Sequence, residues 1–498
     1  MRRPRRSSRG IDAALRPFAH NPGMTDAVTA PEFPASLEWL NLTDPLRMAQ
    51  LRGKVCALAF VNLASAWSQQ RLADLGHLRA RHRERLNVVA VHVPRFDAER
   101  ESRRSSKRAH RQHVEFPVAH DPDWTLWQHY GIEAWPTVVL IDGEGRVRER
   151  IVGEGGIREL DARVSALAAE LTPHAVNGDP IRMRRSGEPP LPLRFPVGLA
   201  LSGNFLYVAD SGHHRVLECD TSGRVLRQFG SGSPGFIDGP MELAAFTRPH
   251  GIYVERDVLY VADTGNHAVR RIELRSGDIS TICGAGRPGI TAEGALSDPR
   301  AVALDQPRDI VLAGDKLYIA CAGDNRIWRL DLGRSTIELL AGNGKLAVMD
   351  GSGSMASFGE PVSLACVQQT LYVCDASGSA IRSVHTRTGA VSTLVGQDPW
   401  QFGRVDGPRT DARMQHPQAL ALEPDAPVLW IADAGNDSLR RLRLGGGELT
   451  SFDLPQRLHA PGGLAIGSDA VWIADTDAHA VLRLDPVSGA VRHVPIGE

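Results

Sequence analysis

The chain has 498 residues, of which 42% are hydrophobic and 23% charged, with a formal net charge of −1. That length exceeds one ordinary domain and implies two or three. The near-neutral balance gives no reason to expect nucleic acid or an anionic membrane as a partner, and 49 glycines with 32 prolines and no collagen period suit a chain of many tight turns.

Six cysteines stand at Cys56, Cys219, Cys283, Cys321, Cys366 and Cys374. None belongs to a C-x-x-C pair and no zinc-ligand spacing occurs, so they read as small buried hydrophobes in a reducing compartment. The first residues, MRRPRRSSRG, are basic but lead into no apolar stretch. Neither a secretory nor a twin-arginine signal is expected, Met24 is a candidate start, and the expected location is the cytoplasm. No apolar run approaches the ~20 residues of a membrane helix.

Residues 1–35, rich in Arg, Pro and Ala, read as a disordered basic tail. From 36 to 172 strand-like and helix-like segments alternate. KVCALAFVNL (54–63) is an apolar strand, 68–85 a helix, and LNVVAVHVP (86–94) a second strand. A charged helix around 99–113, a short strand at 116–120 and a helical turn at 124–130 follow. A hairpin, TVVLIDGEGRVRERIVG, and a last helix at 157–171 end the segment. This order predicts an α/β layer with a mixed sheet. The run of arginines from Arg95 to Arg111 lacks interleaved aromatics and contains Asp97, Glu99 and Glu101, so it reads as a solvated helix face.

Residues 173–195 are rich in Pro, Gly and charge and are expected to form a linker or lead-in strand. From 196 to 498 helical periodicity disappears and one unit recurs six times: FLYVADSGHHRVLECD, VLYVADTGNHAVRRIEL, KLYIACAGDNRIWRLDL, TLYVCDASGSAIRSVHT, VLWIADAGNDSLRRLRL and AVWIADTDAHAVLRLDP. The copies lie about 42–58 residues apart, the range of propeller blades. Four short strands per copy, in the first 197–201, 205–209, 215–219 and 225–229, predict a six-bladed propeller whose closure removes exposed strand edges.

The segment YVADTGNH-x-VRRI (260–272) resembles the NHL repeat. The strand KVCALAFVNL, the triplet Trp135-Pro136-Thr137 and the following hairpin resemble a thioredoxin-like domain. This order of domains resembles the NHL repeat-containing protein 2 family, which carries a C-x-x-C motif after its first long strand. Here the matching stretch is Ser65-Ala66-Trp67-Ser68. Thiol–disulfide exchange needs a thiolate at the helix start, and a serine hydroxyl titrates far too high, so Ser65 and Ser68 are expected to cap the helix without redox function. Pro136 resembles the cis-proline facing the active site of thioredoxin folds, where the loop presents backbone to an extended peptide.

The aspartates of the Y-V-A-D units, Asp210, Asp263, Asp375, Asp433 and Asp475, are expected to bond the N–H groups of their own turns. Long glycine-rich connections follow blades one to four, three of them with Asp-Gly at Asp238, Asp350 and Asp406. In a four-stranded meander these connections and the second-to-third turns share one face. That rim, with His214, His267, Asn325 and Asn436 on its turns, is the candidate surface for a protein or peptide. His250, His416 and His459 precede inner strands, and three imidazoles with an open position would suit a divalent metal. Some NHL propellers are metal-dependent lyases that resemble this arrangement. The expected function is a non-enzymatic binding scaffold without a cofactor. A metal-dependent lyase or hydrolase in the channel is the alternative, and a thiol-disulfide oxidoreductase relative the least favoured.

Overall fold

The computed structural model describes residues 28–153, 156–171, 181–184, 190–289 and 294–497. The chain divides into two compact units, 1–187 and 188–498.

The first unit is built on a six-stranded sheet of order β1-β4-β3-β2-β5-β6. Its strands are β1 (Glu38–Trp39), β2 (Val55–Val61), β3 (Leu86–His92), β4 (Val118–His120), β5 (Thr137–Ile141) and β6 (Val147–Val152). β2, β3 and β4 run parallel, joined by α1 (Ala66–Arg81) and α2 (Ser102–Arg111), while β5 and β6 form an antiparallel hairpin beside β2. β2 is apolar at nearly every position because it is central and covered on both faces. One face packs on Leu72, Leu75 and Leu78 of α1 and on Leu160, Val164 and Leu167 of α4 (Ile157–Ala169). The other packs on Leu126 and Trp127 of α3 (Thr125–His129) and on the segment leading into the sheet.

Part of that segment falls within the expected tail, which the structure corrects. Ala30 and Phe33 are buried in the core, Thr29 pairs with Arg146, and the Val147 N–H donates to Val28 O at 2.9 Å. Covering the second face of the sheet outweighs the polarity of the neighbouring sequence. Residues 1–27, with Met24 and the arginine-rich start, lie outside the described residues. Of the described residues in the expected linker, Met183 bridges Leu42 in the first unit, whereas Leu193 and Phe195 are buried in the second.

The second unit is a six-bladed propeller. Blade 1 comprises β7 (Pro196–Ser202), β8 (Phe205–Asp210), β9 (Arg215–Asp220) and β10 (Val225–Phe229), paired in sequence. The other inner strands are Pro249–Glu255, Pro307–Ala313, Pro361–Val367, Ala419–Leu422 and Gly463–Ile466. Every blade is continuous in sequence, so no strand is exchanged to close the ring. Closure instead comes from a shared apolar layer of Leu199, Leu206 and Val208 from blade 1 with Trp472, Ala474 and Val481 from blade 6. The Thr476 hydroxyl adds a bond to Pro196 O at 2.8 Å.

The long connections fold back onto the blades. Gly239 pairs with Ile279, Gly351 with Val391 and Gly407 with Leu449, each time on the outermost strand of the following blade. These glycines have φ of 132°, 157° and 131°, which a residue with a Cβ rarely adopts, and this explains the recurrent Asp-Gly. Among the described residues no helix is long and apolar enough to cross a membrane.

Candidate functional site

At the thioredoxin-like position, β2 ends at Val61 and α1 begins at Ala66 with Ser65 as its N-cap residue, φ −77° and ψ 132°. The Ser65 hydroxyl makes no capping bond, and the Ser68 hydroxyl, fully buried, accepts the Asn62 N–H at 3.1 Å. The expected cap is therefore one of backbone position only. Ala66 is buried and Trp67 half-buried in the same first turn.

Behind this turn lies a buried polar network. Asn62 Nδ2 donates to Glu99 Oε2 at 2.7 Å, and Arg108 Nη1 donates to Glu99 Oε1 at 2.6 Å. The Arg95 and Phe96 N–H groups complete the Glu99 carboxylate at 2.9 and 3.2 Å. The Leu63 N–H donates to His92 Nδ1 at 3.3 Å. Burial pulls the His92 imidazole down to about 4, against the opposing pull of Glu99. The arginine-rich run is thus more than a solvated face, because Arg108 reaches inward to a carboxylate that needs a cation.

The Trp135-Pro136 peptide is cis. Trp135 packs on Trp127 and Trp124, with ring centroids 4.7 and 5.2 Å apart, and the Thr137 hydroxyl donates to Ala134 O at 2.7 Å. Cys56, on β2, is buried, and desolvation pushes its thiol up to about 12. All six cysteines are free, five of them buried.

On the propeller the turn between the second and third strands ends each time in a residue of positive φ: His214, His267, Asn325, Ser379, Asp437 and His479. Each side chain accepts the backbone N–H just before the inner strand of the next blade. The donors are Arg248 at 3.0 Å, Gln306 at 3.2 Å, Glu360 at 3.1 Å, His416 at 3.3 Å, Ala460 at 3.0 Å and, closing the ring, Phe195 at 3.1 Å. Six equivalent bonds thus staple blade to blade.

The Y-V-A-D aspartates point to the same place. Asp210, Asp263, Asp375, Asp433 and Asp475 accept the backbone N–H of Arg194, Thr247, Gly359, Gln415 and His459 at 2.5 to 2.9 Å. These backbone donors belong to the incoming connection, a correction to the expected bonding, while from their own turns Asp210, Asp263 and Asp433 take the side chains of His213, Asn266 and Asn436. In blades 2, 4 and 5 the buried Asp263, Asp375 and Asp433 also pair with Arg270, Arg382 and Arg440, all without exposure, at 2.8, 3.2 and 3.0 Å. The other ends of these guanidinium groups reach Asp238, Asp350 and Asp406 at 2.7, 3.0 and 2.5 Å. Each loop aspartate in turn accepts a hydroxyl and an N–H from Thr281, Thr393 or Ser451. Burial raises the Asp263 and Asp433 carboxyls to about 6, even though the arginines act the other way.

A thioredoxin-like family model matches residues 53–147, and an NHL repeat model matches 193–219 and 246–272. Bovine NHL repeat-containing protein 2 is 30% identical over 525 aligned residues, covering 95% of this chain and 72% of that protein. The chain belongs to the NHL repeat-containing protein 2 family. Protein SUPPRESSOR OF QUENCHING 1, chloroplastic, of Arabidopsis thaliana is 32% identical over 92% of this chain, which spans 47% of that longer protein. Thiol-disulfide oxidoreductase YkuV of Bacillus subtilis is 26% identical over 28% of this chain and 94% of its own length.

In this family member the candidate rim residues are placed as follows. His214, His267 and Asn325 serve as interblade acceptors, and Asn436 donates to Asp433 Oδ2 at 2.7 Å and Gly403 O at 2.9 Å. Asp238, Asp350 and Asp406 anchor their loops. The structure does not gather His250, His416 and His459. His250 contacts Arg308, His416 contacts Gln418, and the half-exposed His459 lies beside Asp475. Among the described residues no group of three or more His, Cys, Asp or Glu is poised to hold a metal ion. The spacing from the inner-strand proline differs in each case, one residue after, one before and two before, and that divides them. The residues missing from the sequence reading are Arg270, Arg382 and Arg440. Their signal is co-occurrence: an arginine seven positions after the blade aspartate accompanies each Asp-Gly loop.

Proposed function

We propose that this chain is a non-enzymatic scaffold that binds protein or peptide through the loop-bearing face of its propeller. The observation that carries the reading is the pinning of the loops that bear Asp238, Asp350 and Asp406 by three buried arginines. Beside those anchors Ile237, Leu243, Met349, Met355, Trp400 and Val405 stand exposed, Leu243 and Met355 at 70% and 69%. Apolar side chains exposed on a fixed frame favour association, since little ordering entropy is lost when a partner covers them. Serines at both redox positions support a thioredoxin-like unit that contributes binding rather than exchange chemistry.

The test is photo-crosslinking from a benzophenone amino acid placed at Leu243, Met355 or Val487. Val487 lies on the third-to-fourth turn of blade 6, whereas the Asp-Gly loops pair with blades 2, 4 and 5. Discrete protein adducts from Leu243 and Met355 but not from Val487 are expected. Equal labelling from all three, or none, overturns the rim as the binding face. Reduction of insulin by the unmodified chain at a rate above that of dithiothreitol alone overturns the redox-inactive part.

A further inference from the structure

The axial channel, about 390 Å³, is walled by the six inner strands. Each strand begins at, or two residues after, a proline at 196, 249, 307, 361, 417 or 461. The residues after these prolines are Val197, His250, Arg308, Val362, Gln418 and Gly462, all lining the channel. Blades 1, 4 and 6 therefore offer short or apolar walls. At Gly463 a Cβ would overlap the Val197 carbonyl, so the wall there is bare backbone. Blades 2, 3 and 5 offer polar groups instead. Arg308 Nη1 lies 3.1 and 3.2 Å from the two His250 ring nitrogens, and its Nη2 donates to Gln306 Oε1 at 3.4 Å. Gln418 Nε2 lies 3.2 Å from His416 Nδ1.

Two carboxylates near the channel bond to the blades themselves. Asp309 Oδ2 accepts the Ser363 hydroxyl at 3.0 Å and the Leu364 N–H at 2.8 Å, binding blade 3 to blade 4. Glu360 Oε2 accepts the Ser377 hydroxyl at 2.7 Å. Arg248, at the position of blade 2 that Gln306 holds in blade 3, is partly buried and forms no ion pair among the described residues. Desolvation with no carboxylate to offset it lowers this guanidinium below its ordinary range.

We infer that the channel binds a small oxyanion-bearing ligand, an organic carboxylate or a phosphate, with Arg308 as its charged contact and Gln418 and His250 as flanking polar contacts. A planar guanidinium on the wall of a partly closed cavity is suited to bidentate capture of such a group. The volume lies within the range of small-ligand sites. The bare walls of blades 1 and 6 leave room for the rest of the molecule. This site is separate from the outer loops proposed to take a protein partner.

Calorimetric titration of the full chain with citrate, and separately with inorganic phosphate, at ionic strength fixed by chloride, tests the inference. Saturable one-site binding of at least one probe is expected, weakened at least about tenfold in Arg308→Gln through loss of a charge-assisted bond. Gln418→Glu, an isosteric change that sets a carboxylate in the channel, is expected to weaken it similarly, and circular dichroism reports that both variants are folded. Citrate without phosphate assigns a carboxylate ligand, and the reverse a phosphate. No saturable heat with either probe, or wild-type affinity in folded Arg308→Gln or Gln418→Glu, overturns the inference.

Discussion

His479 Nδ1 accepts the backbone N–H of Phe195 at 3.1 Å across 284 positions of sequence, and the two rings pack at a tilt of 58° with centroids 4.4 Å apart. This is the same contact that joins every other pair of adjacent blades, here made between the last blade and the first. Closure of the propeller thus reuses a repeat-level bond instead of an exchanged strand.

Replacing His479 with alanine removes an acceptor and a ring packed on Phe195, and is expected to lower stability by about 1–2 kcal/mol. His479→Asn keeps a side-chain acceptor at a position of positive φ, as Asn325 does in blade 3, and is expected to stay near wild type. Urea denaturation measures both. Hydrogen exchange should localise the alanine effect to the segments around 193–197 and 471–484. An alanine variant as stable as wild type would show that the apolar layer alone closes the ring.

Arg270 sits between a fully buried carboxylate, Asp263, and a partly exposed one, Asp238, whose side chain is 38% exposed. Arg270→Leu strands the buried partner without its cation and is expected to cost about 3–5 kcal/mol. Asp238→Asn removes a charge that water can replace and is expected to cost about 1 kcal/mol or less. Urea melts that reverse this order would sink the account of the anchor, since burial alone sets which partner matters more.

Much of this architecture is legible in the sequence, because repeated burial leaves a repeated pattern. Tyr207, Tyr260, Tyr318, Tyr372, Trp430 and Trp472 mark the second strand of every blade, and the apolar run at β2 marks the centre of the other sheet. The interblade bond is not legible as a motif. Its acceptors are His, His, Asn, Ser, Asp and His, a set related only by a short polar side chain and tolerance of positive φ. The buried arginines hide in ordinary strand alternation and emerge only when paired with their Asp-Gly loops. The histidine triad fails for a different reason. One residue of register in a strand reverses the direction of a side chain, and proximity to the same proline does not preserve register.

Asp309 gives a pH dependence of definite sign. Burial raises its carboxyl to about 6, above an ordinary carboxylate near 3.8, so the folded chain holds this proton more tightly than the unfolded one. The stability it contributes is fully present below about pH 4 and is lost as pH rises through about 6. Asp309→Asn lacks this titration. The melting temperature of the variant relative to wild type should therefore rise between pH 4 and pH 7 and then level. The accompanying free-energy change is about 1–2 kcal/mol, discounted from about 1.4 kcal/mol per pH unit because Asp309 is only partly shielded from water. A difference that is flat with pH, or that falls, would show that the carboxylate is ionised throughout.

The serines at the start of α1 allow the last prediction, which separates scaffold from lost chemistry. Ser65 holds the N-cap position of α1 by its backbone alone, and Ser68 lies in the first turn, fully buried against Asn62. A thiol at position 65 would meet the partial positive charge of the helix N-terminus, which favours thiolate, while one at 68 would be shielded as a resolving group. The double variant Ser65→Cys, Ser68→Cys is expected to form an intramolecular disulfide that dithiothreitol reduces and to reduce insulin above background, and neither single variant is expected to do so. Thiol titration with and without reductant, alongside the insulin assay, reads both properties. If the disulfide forms but insulin is not reduced, the thioredoxin-like unit lacks the substrate groove that exchange requires. If no disulfide forms, the turn itself has moved away from the geometry that dithiol chemistry requires.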